Sequence, residues 1–523
     1  EVDPKDGFRA LGEAKALIAH HGDKYGWEVP GKNNEEPRQG WNEGPCMLKY
    51  EGRYYLQYAA PGTQYRIYGD GIYVGDTPLG PFEYVEDNPF SFKPGGFIGG
   101  AGHGHTFRDK YGNYWHVASM IISVRHMFER RLGLFPVAVS SRNGIYAHTV
   151  WSDYPFYIPN RKVDFDKTDL SVGWNLLSYR KPVQASSSLA GYEPGNANDE
   201  QIETWWAAQT GKKGEWLQVD LEIPMLVNSI HVNFADHHFK VFAPHPPVVY
   251  QFFIEGSADG KKWMNLFDER ENGKDEPHRL FTLDKPLKVR YLRICNAKEM
   301  DGCFSLSGFR VFGKGEGAAP SKVTGFRAIR NSEDKRMFRF TWDAQKGATG
   351  YVLRWGTQKD KLTHAVTVFD NQYEARYFNR DSEYYFSITA FNENGNERSI
   401  NMQDKRNSGI MTLQVFKCCV CIWIGVFSET MLAQTQKVVF SRDFSPAEGL
   451  VTPQEKPYRD EVCLNGLWDL QCVAVSSSWK KGSGIVFWNS MLRVMGIATY
   501  GADFNSHDAK NKKHDLLMDG PVD

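Results

Sequence analysis

The chain has 523 residues, a formal net charge of −1 and 24% charged residues, a balance that excludes a strongly basic nucleic-acid-binding protein. Its 49 glycines and 14% aromatic residues exclude a disordered or coiled-coil protein and favour all-β domains that expose some of their rings. At about 150 residues per domain, the length predicts three or four domains.

Short strands separated by turns are predicted throughout residues 1–160. The segment MLKYEGRYYLQY at residues 47–58 predicts a hairpin, and so does the segment at residues 109–118, which turns at Tyr-Gly-Asn. A further strand is predicted at residues 71–75. Strands that follow one another about every 10 residues, with no helices between them, indicate a sandwich, barrel or propeller.

Two more β-rich regions follow along the chain. Residues 174–314 contain predicted strands at 216–221 and 229–234, and residues 320–400 contain alternating strands of a smaller module. The run KGEGAAP at residues 314–320 predicts a linker between the two regions. No long helix is predicted anywhere.

Residues 411–434 form the one membrane-like segment. Its ten mostly apolar residues, 418–427, are too few to span a bilayer. The order of Met411, one Lys, this apolar block and Ala433-Gln434 is typical of a secretory signal peptide. We therefore expect a bacterial secreted, periplasmic or cell-surface protein and a second open reading frame that begins at Met411, with a buried core strand as the alternative.

The eight cysteines do not indicate a disulfide framework, because the first 290 residues hold only Cys46. Cys295 and Cys303 are expected to form a disulfide if two strands bring them together. A buried pair of reduced thiols is an equally favoured alternative. The run CCVC at residues 418–421 lies in an apolar stretch with no His or carboxylate nearby, which disfavours a metal site there.

The most specific chemical signal is GWNEGP at residues 40–45. A Glu flanked by Trp, Gly and Pro where a strand begins is poorly placed for ordinary surface solvation. An apolar wall such as Trp41 is expected to raise the pKa of Glu43, as a general acid requires. A structural role in the turn is the alternative for an isolated Glu.

The segment from this glutamate, EGPCMLKYEGRYYLQY at residues 43–58, resembles the third-blade signature of glycoside hydrolase family 43, a family of five-bladed β-propellers. The resemblance continues through residues 77–82, 88–96 and 100–107 and ends near residues 128–136 and 153–155. It implies inverting hydrolysis of O-glycosidic bonds, releasing terminal arabinofuranosyl, xylosyl or related residues of plant-type polysaccharides or oligosaccharides. No organic cofactor is implied.

By this resemblance, Glu43 is the general acid and Trp41 lines the substrate site. His103 matches a fifth-blade histidine near the propeller axis, with a satisfied core histidine as the alternative. Arg130 or Arg131 is expected to hold a substrate hydroxyl or carboxylate, and a structural ion pair is the alternative.

Inversion needs a second carboxylate that activates water. In the family this base is an Asp of the first blade, and another Asp on the second blade tunes the acid. Only 42 residues precede Glu43, and the opening EVDPK resembles the end of the second blade. Both aspartates are therefore expected before residue 1, in which case the chain is a truncated propeller, inactive by itself. A non-catalytic carbohydrate-binding or adhesion protein is the alternative.

The second region resembles a coagulation factor 5/8 type C (discoidin) domain, the fold of family 32 carbohydrate-binding modules. The matching segments are ANDEQIETWW at residues 197–206, GEWLQVDL at 214–221 and SGFRVFG at 307–313. The resemblance implies a calcium ion held by Asn198 and Asp199, since oxygen ligands suit a hard cation. A plain loop-stabilising role for these two residues is the alternative.

Aromatic and histidine side chains of this domain are its candidate sugar contacts. Trp205 and Trp206 are expected in the core rather than on a sugar-binding platform. His237, His238 and Phe239 are candidate rim contacts, although a solvated loop is the favoured interpretation.

The remaining regions carry weaker resemblances. Residues 320–400 resemble fibronectin type III, with Trp342 and Tyr384 in its core, and such a module is expected to be a spacer. In residues 435–523, the segment LNGLWDL at 464–470 resembles the start of a family 2 glycoside hydrolase, followed by an unassigned tail. The predicted fold is thus all-β: a partial five-bladed β-propeller, a discoidin-type jelly-roll sandwich, a fibronectin type III sandwich and a largely irregular C-terminal segment.

Overall fold

The computed structural model describes residues 2–3, 9–10, 12–36, 40–121, 130–140, 144–239, 248–396 and 484–486. Regular structure in these residues is almost entirely β, and the only helices described are two 3-10 turns, Gly26–Glu28 and Pro194–Ala197. The all-β prediction is therefore confirmed. No helix in the described ranges is long and apolar enough to cross a membrane. The predictions for residues 411–434 and 435–523 lie outside the described residues, apart from 484–486.

The chain divides into two compact units. One comprises residues 1–16, 400–471 and 493–523, and its described strands β1 (Val2–Asp3) and β2 (Arg9–Ala10) pair antiparallel. The other comprises residues 17–399 and 472–492 and holds every other strand described below.

Two antiparallel meanders begin the larger unit. The first contains β3 (Glu43–Tyr50), β4 (Arg53–Ala60), β5 (Gly69–Gly75) and β6 (Glu83–Tyr84) in that order, with β7 (Ser91–Phe92) also on β5. The second contains β8 (Gly99–Arg108), β9 (Tyr114–Ile121), β10 (Arg130–Ser140) and β11 (Gly144–Ala147) in the order β11-β10-β9-β8. Each is a sheet of sequential strands like a propeller blade, and both predicted hairpins, β3–β4 and β8–β9, are present.

After β12 (Phe156–Ile158), which pairs with β28 (Gly484–Val486), eight strands form a discoidin-type domain. They are β13 (Asn175–Leu176), β14 (Val183–Ala185), β15 (Trp206–Ala207), β16 (Trp216–Phe234), β17 (Phe252–Ser257), β18 (Met264–Asp268), β19 (His278–Asn296) and β20 (Ser305–Lys314). The order is β13-β20-β16-β19-β17-β18, with β14 on β16 and β15 on β20. The predicted strands 216–221 and 229–234 are the two ends of β16, which continues between them through two register shifts against β19.

A smaller pair of sheets ends the larger unit. One contains β21 (Arg327–Arg330), β22 (Phe338–Thr341) and β25 (Gln372–Ala375). The other contains β23 (Gly350–Gly356), β24 (His364–Val368), β26 (Tyr385–Asn392) and β27 (Gly395–Asn396) in the order β24-β23-β26-β27. Trp342 is buried between them, as expected, whereas Tyr384 is only partly buried and its hydroxyl accepts a hydrogen bond from the Asn379 backbone. The fibronectin type III assignment remains a prediction.

The first meander and these small sheets share one hydrophobic core, which the sequence did not predict. Trp27, Tyr58 and Phe92 of the first region belong to the same buried cluster as Trp355 and Tyr377. Residues 320–396 are therefore packed into the larger unit and do not serve merely as a spacer.

Cys295 and Cys303 are both buried and both free, so the disulfide alternative is not formed. Burial raises the pKa of each thiol, and that of Cys295 reaches about 11.

Candidate functional site

Glu43 lies at the start of β3, where the strand departs from regular pairing. The register against β4 shifts between Glu43 and Cys46, and Gly44 adopts a φ of +56°. A side chain at Gly44 would come within 2.8 Å of the His103 ring, so glycine permits this close approach. The bulge aims the Glu43 side chain towards His103 and leaves it 37% exposed.

Tyr68 and His103 hold the Glu43 carboxylate. The Tyr68 hydroxyl donates to Glu43 Oε1 at 2.6 Å, and His103 Nδ1 lies 3.1 Å from the Tyr68 oxygen and 3.8 Å from Glu43 Oε1. The hydrogen bond with His103 lowers the pKa of Glu43 below its usual value; partial burial opposes this, and Tyr68 and Trp41 add to the lowering. The expectation that Trp41 raises this pKa is therefore wrong in direction.

His103 is exposed, not a core histidine, and Asp70 fixes its backbone. His103 has a φ of +55°, and Asp70 accepts hydrogen bonds from the backbone N–H groups of His103 and Gly104 at 2.7 and 2.8 Å. Asp70 is 1% exposed and also lies 3.0 Å from His116 Nε2. Sequence reasoning missed Asp70, although a charged residue between two glycines in an otherwise buried strand was a usable signal.

A thiol and an imidazole lie beside this group. Cys46 Sγ is 2.9 Å from His105 Nδ1. Burial raises the pKa of Cys46 and lowers the pKa of His105, so both side chains are predominantly neutral at pH 7.

The two candidate arginines lie on a strand of the second meander. Arg130 and Arg131 lie in β10, paired with Ile121 and Met120 of β9. The Arg130 side chain lies outside the described residues, and its role stays a prediction.

A second glutamate, Glu28, was missed because it lies in no recognisable motif. It is 0% exposed, and its carboxylate accepts hydrogen bonds from the Tyr58 hydroxyl and the His21 backbone N–H, each at 2.7 Å. Burial raises the pKa of Glu28 to about 7, with the hydrogen bonds opposing the rise. Its full burial makes it a structural group rather than a substrate contact.

In the discoidin-type domain, Asn198 and Asp199 are engaged in their own loop. Asn198 Nδ2 donates to the carbonyl oxygens of Ser178 and Lys181, and Asp199 accepts from the Gln201 N–H and the Thr204 hydroxyl. Asn198 Oδ1 is buried and has no hydrogen bond from any described residue, but calcium takes six to eight oxygens. No cluster of three or more His, Cys, Asp or Glu in the described part of the chain is arranged to hold a metal ion. Both predicted ligands are thus hydrogen-bonded within the domain, and the calcium site stays a prediction.

An aromatic cluster lies near this loop. The ring of Tyr192 is 5.1 Å from that of Trp205 and 4.2 Å from that of His237, which stacks on His238 at 3.9 Å. Trp206 is fully buried, as expected, whereas Trp205 is partly exposed and donates to His237 Nδ1 at 3.2 Å. Trp205 and His238 are therefore accessible at the surface.

Two family models match the chain. Residues 15–140 match the glycosyl hydrolases family 43 and residues 182–306 match the F5/8 type C domain, which supports both resemblances found in the sequence. No curated protein matches the chain. The fibronectin type III and family 2 resemblances remain predictions.

Solved structures similar to the chain include a glycoside hydrolase with 21% identity and a TM-score of 0.29. The matched part covers 53% of this chain and 61% of the hydrolase. The chain thus spans less than two thirds of that hydrolase. Chitosan-binding module 1 of a chitosanase/glucanase from Paenibacillus sp. IK-5 is 24% identical, with a TM-score of 0.23, and covers 27% of this chain and 99% of its own. The family 32 module of Clostridium perfringens NanJ, in complex with galactose, is 16% identical, with a TM-score of 0.24 and the same coverage. The family matches join a glycosyl hydrolase family 43 segment to an F5/8 type C domain, a combination consistent with a carbohydrate-active protein.

Proposed function

We propose that this chain is part of a secreted modular glycosidase of family 43 type, with Glu43 as the general acid for inverting hydrolysis of polysaccharide O-glycosidic bonds. The observation that supports this most directly is the half-exposed Glu43 carboxylate held between Tyr68 and His103. It lies on a blade-like sheet within the segment that matches family 43. A carboxyl group so placed can reach a glycosidic oxygen from the protein surface.

The chain as it stands is proposed to be inactive alone. A general acid must be protonated before it acts, yet His103 and Tyr68 lower the pKa of Glu43. A second carboxylate about 6.5–9.5 Å away would be needed to activate water for inversion. Asp70, linked to Glu43 through His103, is buried and already accepts three hydrogen bonds, so it is unsuited to that role.

Glu43→Gln tests the proposal in two assays. A cationic iminosugar analogue of arabinofuranose should bind the wild-type chain and bind Glu43→Gln about tenfold more weakly, because the ionised carboxylate is lost. Calorimetry measures this difference, with the exposed Glu51→Gln as the matched control. Equal binding by both variants would exclude Glu43 from the sugar site. Hydrolysis of aryl arabinofuranosides or xylosides that depends on Glu43 would instead overturn only the proposed inactivity.

A non-catalytic carbohydrate-binding role is the second candidate, and the aromatic cluster of the discoidin-type domain favours it. Because Nδ1 of His237 accepts from Trp205, its Nε2 carries the proton, and that buried N–H has no hydrogen-bond partner among the described residues. The partly exposed Trp205 ring near the exposed His238 suits a pyranose face. Trp205→Ala should abolish depletion of the protein by insoluble arabinoxylan, whereas Trp263→Ala, elsewhere in the same domain, should not.

A further inference from the structure

The loop after the second 3-10 turn, Pro194–Ala197, directs a glutamate into the interior. Glu200 has a left-handed φ of +61° and is 2% exposed. This uncommon conformation for a residue with a side chain turns the carboxylate away from solvent and towards β20.

Arg310 of β20 meets that carboxylate with two parallel hydrogen bonds. Its Nε and Nη2 donate to the two oxygens of Glu200 at 2.7 and 2.8 Å, and Arg310 is itself 0% exposed. Both carboxylate oxygens are thereby used in a bidentate pair, the strongest arrangement that these two groups make.

The third nitrogen of the guanidinium and its planar surface also have partners. Its Nη1 donates to the Asp153 carbonyl oxygen at 2.6 Å. Its Cζ lies 4.6, 4.9 and 5.3 Å from the ring centroids of Phe97, Phe312 and Tyr154. Phe97 and Asp153 belong to the region before the discoidin-type domain. The cation is therefore fixed from both sides of the boundary between the two regions.

These contacts occupy the carboxylates that a divalent cation would need. Calcium requires several oxygens, with carboxylates among them. Of the loop's two buried or half-buried carboxylates, Glu200 is taken by Arg310, and Asp199 is capped by Gln201 and Thr204. A second positive charge beside Arg310 would also be repelled.

We propose that Arg310 supplies the positive charge of this loop, and that the discoidin-type domain is stable without calcium. The domain thus departs from the calcium requirement that its family resemblance implied. The proposal is independent of whether Glu43 catalyses hydrolysis.

The wild-type full chain gives the primary test. After treatment with EDTA and dialysis, its thermal unfolding midpoint should be the same with and without millimolar calcium chloride, and a calorimetric titration with calcium chloride should show no saturable heat. A ligand that binds the folded state raises the midpoint, so a calcium-dependent rise or saturable binding would overturn the proposal.

Two variants test the pair itself. Glu200→Gln should lower the midpoint by at least about 5 °C, because it leaves Arg310 buried without its counterion. Glu203→Gln is the matched control, since Glu203 lies on the same loop and its ion pair with Lys32 is long, at 3.9 Å. Equal midpoints for the two variants would show that Arg310 does not depend on Glu200, and would also overturn the proposal.

Discussion

Glu28 is a residue whose protonation is linked to folding. Its carboxyl group is fully buried among tyrosines, and burial raises its pKa from 4.5 to about 7. Between these two values the folded chain binds more protons at this site than the unfolded chain. The free energy of unfolding therefore falls as the pH rises through this window, by about 3 kcal/mol from this group.

We predict that Glu28→Gln removes most of that fall. Glutamine keeps an acceptor for the His21 N–H and is neutral at every pH, like the protonated acid. Urea denaturation followed by tryptophan fluorescence at several values between pH 5 and pH 8 measures the slope. The exposed Glu83→Gln should retain the wild-type slope, and an unchanged slope in Glu28→Gln would contradict the assignment.

At this scale the sequence predicted the position of the acid but not its surroundings. Glu43 is recognisable from its neighbours Trp41 and Gly44, which are local in the chain. Asp70 reaches the site through pairing of β5 with β4, and Tyr68 directly precedes β5, so no local pattern shows that these residues lie near Glu43. The direction of the Glu43 pKa depends on those distant groups and was consequently predicted wrongly.

Among the elements, β20 packs closely against the preceding region at Gly308. A side chain at Gly308 would lie 2.6 Å from the Phe97 ring, which is itself 1% exposed. Only a residue without a Cβ permits this packing, and the same strand carries Arg310 two residues later. β20 is therefore part of the sandwich and also packs against the region that precedes the discoidin-type domain.

We predict that Gly308→Ala lowers the free energy of unfolding by about 1–3 kcal/mol through overpacking against Phe97. Chemical denaturation measures the loss. Gly273→Ala should be nearly neutral, because no other atom lies within 4 Å of its Cβ position. Combining Gly308→Ala with Phe97→Leu should cost less than the sum of the single changes; strict additivity would argue against the contact.

The strands themselves were largely predictable, because alternation and turn residues are local signals. The hairpin β3–β4 follows the predicted pattern closely. The continuity of β16 was not predicted, since the residues between its ends lose their regular alternation at the register shifts.

For the whole molecule, the shared core means that the first meander and the small sheets of residues 320–396 stabilise each other. Trp355 is 2% exposed in a cluster that also contains Trp27 and Tyr58. A hydrogen bond also connects these two parts of the chain: Asp87 accepts from the Thr357 backbone N–H at 3.0 Å. Contacts between the modules were not predictable from the sequence, because each side of such a contact resembles an ordinary core position.

We predict that Trp355→Ala costs about 3–5 kcal/mol and reduces amide hydrogen-exchange protection in β4 as well as in β23. The 60%-exposed Ile329→Ala should leave both strands protected. If β23 opens while β4 keeps its wild-type protection, the two regions fold independently and the shared core is not cooperative.

The two buried free thiols of the discoidin-type domain have a redox consequence. With a pKa near 11, only about one Cys295 in 10,000 is a thiolate at pH 7, and the thiolate is the form that oxidants and disulfides attack. While the domain is closed, Cys295 is therefore kinetically shielded from oxidation and from exchange with other sulfhydryls. Cys295 can consequently stay a free thiol in either a reducing or an oxidising compartment.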